Sequence, residues 1–243
     1  MCNDLLISMN NKTIIITGVS SGIGKACAEL YLEKDYNVLG ISRSNTIKNK
    51  NYRFISCDLS DPYQIEQLDF NEELDKESDI ILINNAGTIG EIKHFTNVSA
   101  SHLRELSNLN ILAPQLLITL LFQQIDPKRI ESIITISSGA AQRPIPSWAA
   151  YCASKAAINM YSETLKIELT ELGLKTKIYS VAPGVVDTNM QVIIRAASQE
   201  DFTSVTNFQR MKDEGALRSP KKVAVLLDQL IQSEEQGEVV CRL

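Results

Sequence analysis

The chain has 243 residues, 44% of them apolar and 22% charged, with a formal net charge of −5 at neutral pH. That composition excludes a disordered chain, and the acidic balance argues against a nucleic-acid partner, whose phosphates need a basic face. The five cysteines, Cys2, Cys27, Cys57, Cys152 and Cys241, are scattered without a C-x-x-C spacing. This argues against a disulfide framework or a zinc site and fits a reducing, cytoplasmic setting. Residues 1–12, MCNDLLISMNNK, hold one short apolar run and no basic leader, so no signal peptide is expected. No apolar run is expected to reach the roughly 18 to 20 residues that span a bilayer, so no membrane partner is expected.

In chain order, 12–17 (KTIIIT) reads as a buried strand and 22–34 as a helix. Strands follow at 37–42 and 52–57, then a helical pattern at 62–75 and a strand at 79–83. A long helical stretch covers 100–124, a strand 131–137, a long helix 148–172 and a strand 175–182. Helical stretches near 190–197 and 220–232 precede a short last strand at 238–241. Continuously apolar strands are buried on both faces, the mark of a parallel sheet. Their alternation with helices predicts right-handed crossovers and an α/β, Rossmann-type doubly wound fold. The expected sheet is mostly parallel and seven-stranded, with helices on both faces. No linker or repeat interrupts 1–243, so one domain is expected. Segment 188–216 is the least regular and follows a strand end, which suits a lid over the cleft.

Residues 17–24, Thr-Gly-Val-Ser-Ser-Gly-Ile-Gly, join the first strand to the first helix. Gly18, Gly22 and Gly24 remove side chains where the backbone must turn and approach a pyrophosphate, with Ser20, Ser21 and Ile23 between them. The helix N-terminus supplies free N–H groups and a positive dipole end. Strand two ends at Ile41-Ser42-Arg43 with no acid nearby. An acidic residue there takes the ribose hydroxyls of NAD, whereas a guanidinium suits the 2′-phosphate of NADP. Strand three ends at Cys57-Asp58-Leu59, and strand four runs into Asn84-Asn85-Ala86-Gly87.

Tyr151 and Lys155 lie four apart in the long helix, so they share one face. A free tyrosine titrates near 10, and a neighbouring cation lowers that value and makes it a workable general acid. Ser138 ends strand five, where such sheets line their ligand crevice, and its hydroxyl can steady a reacting oxygen. Asn110 lies in the helix before that strand, and Pro183-Gly184-Val185-Val186-Asp187-Thr188 follows strand six. Asp187 alone reads as a turn or capping residue. His94 and His102 stand apart from any ligand cluster, so no metal site is expected.

Together the T-G-x-x-x-G-x-G loop, N-N-A-G, Asn110, Ser138 and Y-x-x-x-K resemble the short-chain dehydrogenase/reductase family over almost the whole chain, from about residue 12. The resemblance implies NADP(H) as cofactor and a tetrad of Asn110, Ser138, Tyr151 and Lys155. It implies that Asp58, beside Leu59, meets the adenine and that Asn85, Ala86 and Gly87 flank the cofactor. Pro183, Gly184, Val185, Val186 and Thr188 would then hold the nicotinamide end, and Lys155 its ribose. Asn110 would bend its helix. Many NADP-preferring relatives carry a basic residue where this chain has Ser21.

Trp148, the stretch P-G-V-V-D-T-N-M-Q and the later Lys212–Pro220 region resemble the sepiapterin reductase and benzil reductase branch, which reduces dicarbonyls and bulky ketones with NADPH. Trp148 and Met190 are the expected substrate walls, since such pockets are mainly apolar. A small-molecule carbonyl is the expected partner, and the family's habit implies a homodimer or homotetramer through the long helices. A 3-oxoacyl thioester reductase, an alcohol dehydrogenase and a non-catalytic NADP-binding redox sensor stand as alternatives.

Overall fold

The computed structural model describes residues 11–243, so the expectation about a leader at the N-terminus lies outside the described residues. Seven strands form one sheet: β1 (Lys12–Thr17), β2 (Asn37–Ser42), β3 (Tyr52–Ser56), β4 (Asp79–Asn84), β5 (Ile130–Ile136), β6 (Lys177–Ala182) and β7 (Val240–Arg242). Their order is β3-β2-β1-β4-β5-β6-β7, and every pairing is parallel, including the last strand. Strand order reverses between β1 and β4, and a crevice opens beyond the carboxyl ends of the strands at such a point.

The strand alternation divides the core into two layers. Ile14 and Ile16 face one way with Ile81, Ile83 and Tyr179, against Tyr31 of α1 (Gly22–Glu33) and Leu227 of α9 (Pro220–Gln232). Ile15 faces the other way with Leu82 and Ile133, against Leu117 and Leu121 of α5 (Ala113–Gln124) and Leu169 of α6 (Ala149–Glu171). Each fully buried Ile or Leu contributes about 1.5–3 kcal/mol. These layers hold the strand ends rigidly enough to aim side chains into the crevice.

Local chemistry explains where the elements depart from expectation. The helical pattern at 62–75 splits into α2 (Pro62–Glu66) and α3 (Phe70–Glu73), because Asp69 accepts from the Asn71 N–H at 2.9 Å and starts a new helix. The stretch 100–124 is α4 (Ala100–Ser107), a π turn at Asn108–Leu112 and α5. Pro114 has no N–H to give the Asn110 carbonyl, which breaks the helical ladder at that position. Against expectation, this stretch is long and apolar enough to cross a membrane by length and composition alone. Ala113, Leu117, Ile118 and Leu121 from it are buried in the protein's own core.

Segment 188–216 is more regular than expected. It carries α7 (Asn189–Ala196) and a second helix, α8 (Val205–Asp213), whose polar sequence VTNFQRMKD gives a weak apolar period. Phe202, just before α8, is fully buried with Trp148 and Tyr151 in a third apolar cluster.

Candidate active site

A cavity of about 1130 Å³ runs along the carboxyl ends of the strands. Residues from almost every predicted segment line it, from Gly18 and Arg43 at one end to Ser138, Tyr151 and Lys155 at the other. Of the predicted site residues, Gly24 and Asn110 alone do not line it. Both lie directly behind it.

The turn after β1 is built by crowding. Gly18 has φ +71°, and a Cβ there would sit 2.9 Å from Asn85 Nδ2. A Cβ on Gly24 would collide with the same Asn85 amide and with the Gly18 carbonyl. Gly22 has φ +60° and passes against Thr188, whose Cγ2 would be 3.2 Å from an added Cβ. Ser21 occupies the N-cap of α1 without a side-chain bond, so the first-turn amides keep no side-chain partner there. Ser20, Ser21 and Ile23 line the cavity beside them.

Asn85 ties this turn to β1. Its Nδ2 donates to the Thr17 carbonyl at 2.9 Å and to the Gly18 carbonyl at 3.3 Å. The Asn85 and Ala86 amides both donate to Thr17 Oγ1 at 2.9 Å. Ala86 and Gly87 then line the cavity. Thr17 opens the loop motif read from the sequence, but its bonds to amides 68 and 69 residues away were not foreseen, since a strand threonine carries no signal of so distant a partner.

At the far end, Arg43 is exposed at the cavity wall and, among the described residues, makes no ion pair. Asp58 lines the wall near it, with Leu59. Asp58 Oδ1 accepts from the Ser60 N–H at 3.0 Å and from Ser60 Oγ at 2.7 Å. Those bonds, and then the Arg43 charge, hold its carboxyl below the ordinary value.

Tyr151, Lys155 and Ser138 converge at the opposite end. Ser138, just past β5, caps a 3₁₀ turn by accepting from the Ala140 N–H at 3.1 Å. Lys155 Nζ donates to the Ile136 carbonyl at 2.8 Å and lies 5.7 Å from the centre of the Tyr151 ring. Asn110 holds the neighbouring loop: its Oδ1 accepts from the Thr88 N–H at 2.9 Å and its Nδ2 donates to the Thr88 carbonyl at 2.8 Å. Burial pushes the Tyr151 phenol up to about 12, and the Ser138 hydroxyl pulls against that rise. Burial pushes Lys155 down to about 8. The phenol therefore titrates above its ordinary value, not below it as expected, because desolvation of its anion outweighs every other influence on it.

The wall over Tyr151 is aromatic. Trp148 meets Tyr151 edge-on at 5.7 Å and stacks on Phe202 at 5.2 Å, with Phe208 at 5.5 Å. Met190, Ile145 and Ile194 complete it. The two phenylalanines come from the segment whose helix was not expected, so the sequence pointed to Trp148 without its partners. Asn159 was missed as well. Its Oδ1 accepts from Ser137 Oγ at 2.7 Å and Ser180 Oγ at 2.8 Å, pinning α6 to β5 and β6 one turn beyond Lys155.

Pro183, Gly184, Val185, Val186 and Thr188 form one stretch of the cavity wall. Asp187 does more than turn the chain: it pairs with Lys212 of α8 at 2.6 Å and lies 3.9 Å from Arg195 of α7. His102 is also placed, its Nε2 accepting from the Glu91 N–H at 2.9 Å. Exposed Glu238 lines the cavity beside β7, an acid the sequence did not single out.

Residues 12–199 match the short chain dehydrogenase family. A benzil reductase ((S)-benzoin forming) of Bacillus cereus is 38% identical over 243 residues, covering 93% of this chain and 97% of that protein. The enzyme of the same name from Bacillus subtilis (strain 168) is 37% identical over 237 residues, covering 93% and 96%. A crystal structure of a Saccharomyces cerevisiae short-chain dehydrogenase/reductase superposes with a TM-score of 0.84 at 26% identity, covering 95% of each chain.

Proposed function

The chain belongs to the short-chain dehydrogenase family and is an oxidoreductase; from that premise we propose that it reduces ketones and dicarbonyls with NADPH, using Tyr151 as proton donor. The observation that carries this is the convergence of Tyr151, Lys155 and Ser138 on the same cavity as the glycine turn.

The residues present fit a nicotinamide dinucleotide. Gly18 and Gly24 let the turn close tightly on Asn85, and the uncapped first turn of α1 offers amides to a pyrophosphate. Arg43 would hold the 2′-phosphate, Asp58 and Leu59 the adenine, and Asn85, Ala86 and Gly87 the middle of the molecule. Pro183 to Val186 and Thr188 would hold the carboxamide, and Lys155 the nicotinamide ribose. When bound, the nicotinamide supplies a hydride to the carbonyl carbon.

The chain's own groups manage the oxygen. With its pKa pushed up to about 12, Tyr151 carries its proton throughout the neutral range and can donate it as the carbonyl oxygen gains charge. Ser138 donates a hydrogen bond to that oxygen. The Lys155 ammonium stabilises the phenolate left behind. Asn110 keeps the 86–90 loop in place and positions the others.

The aromatic wall of Trp148 and Phe208, with Phe202 buried behind Trp148, suits aryl groups on the substrate, with Met190 beside it. The benzil reductases among the relatives support a vicinal diketone carrying aryl groups. Segment 188–216 would act as the lid, and a reducing, cytoplasmic setting suits the free thiols Cys27, Cys57, Cys152 and Cys241. The test is NADPH and NADH oxidation with benzil, other diketones, sepiapterin and acetoacetyl thioesters, with Tyr151→Phe as control. We expect benzil turnover with NADPH and its loss in the variant. A variant as active as the parent would remove Tyr151 from the mechanism.

A further inference from the structure

Arg218 lies outside the cavity lining but touches the stretch of wall formed by Pro183 to Val186 from behind. Its Nη1 donates to the Pro183 carbonyl at 3.1 Å and to the Leu243 carbonyl at 2.6 Å. Its own N–H donates to the Val185 carbonyl at 3.0 Å, and its carbonyl accepts from the Asp187 N–H at 2.9 Å. Val186 and Arg218 thus form an isolated parallel bridge.

Two features make this more than a local tie. Gly184 turns at φ +77°, and a Cβ there would stand 3.4 Å from the guanidinium, so the turn and the arginine are packed against each other. The bridge also joins the two ends of the lid. Segment 188–216 leaves the wall at Thr188, and the chain rejoins it at Arg218, so the backbone on either side of the segment is hydrogen-bonded together. Between them, α7 and α8 reach back to Asp187 through Arg195 and Lys212. The side chain adds a third element, because Leu243 follows β7 and its N–H donates to the Ala182 carbonyl at 3.2 Å.

We propose that Arg218 is a positioning residue that sets the carbonyls and amides of residues 183–187 for the nicotinamide end of the cofactor. The inference rests on the cofactor reading above. The two N–H bonds of Nη1 reach both carbonyls from a rigid planar group, whereas a lysine ammonium ends a more flexible stem and holds the same acceptors less firmly. Without it, the Gly184 turn loses its backing, and the amides meant for the carboxamide lose their register. The adenine end is anchored elsewhere, on Arg43, Asp58 and the α1 amides, so it is not affected.

The test separates the two ends of the ligand. Affinity for NADPH and for adenosine 2′,5′-bisphosphate, which lacks the nicotinamide half, is measured by fluorescence and calorimetry in the parent, Arg218→Ala and Arg218→Lys. We expect Arg218→Ala to bind NADPH about tenfold more weakly, about 1.4 kcal/mol, with affinity for the bisphosphate unchanged. Arg218→Lys should recover part of the loss, and it remains a readable arm if the alanine variant fails to fold. Unchanged NADPH affinity overturns the proposal, and so does an equal loss for both ligands, which marks general structural damage. A parent that binds neither ligand overturns the cofactor reading, and this inference falls with it.

Discussion

Lys155 Nζ donates a 2.8 Å hydrogen bond to the carbonyl of Ile136, the last residue of β5. The ammonium is thereby fixed at the sheet edge, and burial depresses its pKa from 10.5 to about 8. A folded value below the unfolded one means the charge opposes folding. The penalty is present in full below pH 8 and is relieved as pH rises from about 8 towards 10.5. A displacement of that size corresponds to about 3 kcal/mol. Lys155→Met should therefore abolish reduction yet melt higher than the parent, with the larger gain at pH 7 than at pH 10. Thermal melts at the two pH values check this, and a variant less stable at pH 7 would contradict it.

The same two values set the pH profile of ketone reduction. Tyr151 keeps its proton up to about 12, so the donor stays available across the accessible range. Lys155 loses its charge near 8. The rate should hold steady below that point and fall above it, with no acid limb near neutrality. Initial rates from pH 6 to pH 10 decide the matter.

Arg43 is exposed and carries no carboxylate partner at ion-pair distance among the described residues, so its removal should leave the fold unharmed. Arg43→Ala is expected to raise the KM for NADPH about tenfold, the loss of one charge-assisted contact to phosphate. The KM for NADH should stay as it was, and the NADPH effect should shrink at high salt. Unchanged NADPH kinetics would remove Arg43 from phosphate binding.

Phe202 is fully buried against Trp148. Phe202→Ala leaves a cavity there, and buried Phe to Ala changes cost about 3–5 kcal/mol. Much of that loss should fall on segment 188–216. Trp148 is the chain's sole tryptophan, so its emission reports that segment directly. We expect a red shift and a higher KM for benzil together with a lower melting temperature.

Asn159→Leu should strand the Ser137 and Ser180 hydroxyls, both of which donate to the Asn159 carbonyl oxygen. An unmet buried polar group costs about 1–3 kcal/mol. Denaturant melts should move by that amount, and kcat should fall as α6 loosens beneath Lys155.

The sequence made the sheet legible because β1, β4 and β5 are apolar on both faces, a pattern that a parallel, covered strand requires. It exposed the glycine turn because a positive φ at Gly18 and Gly22 suits no other residue well. Helix α8 was hidden because its apolar positions, Val205 and Phe208, meet a surface formed by other segments, and a sparse period carries little signal. The split of α2 from α3 was hidden by the competition between one cap, Asp69, and an otherwise continuous helical pattern.

By itself, then, the sequence determined what depends on local spacing: the strands, the glycine turn, and the placing of Tyr151 and Lys155 on one helical face. Tertiary structure alone decided what depends on distant partners. It brought Phe202 onto Trp148, two serine hydroxyls onto Asn159, and Arg218 behind the Pro183 turn. It also reversed the expected direction of the Tyr151 titration. A lysine four residues away can be read from spacing, but the desolvation that raises the phenol, opposed by the Ser138 hydroxyl, arises from the packing around the whole site.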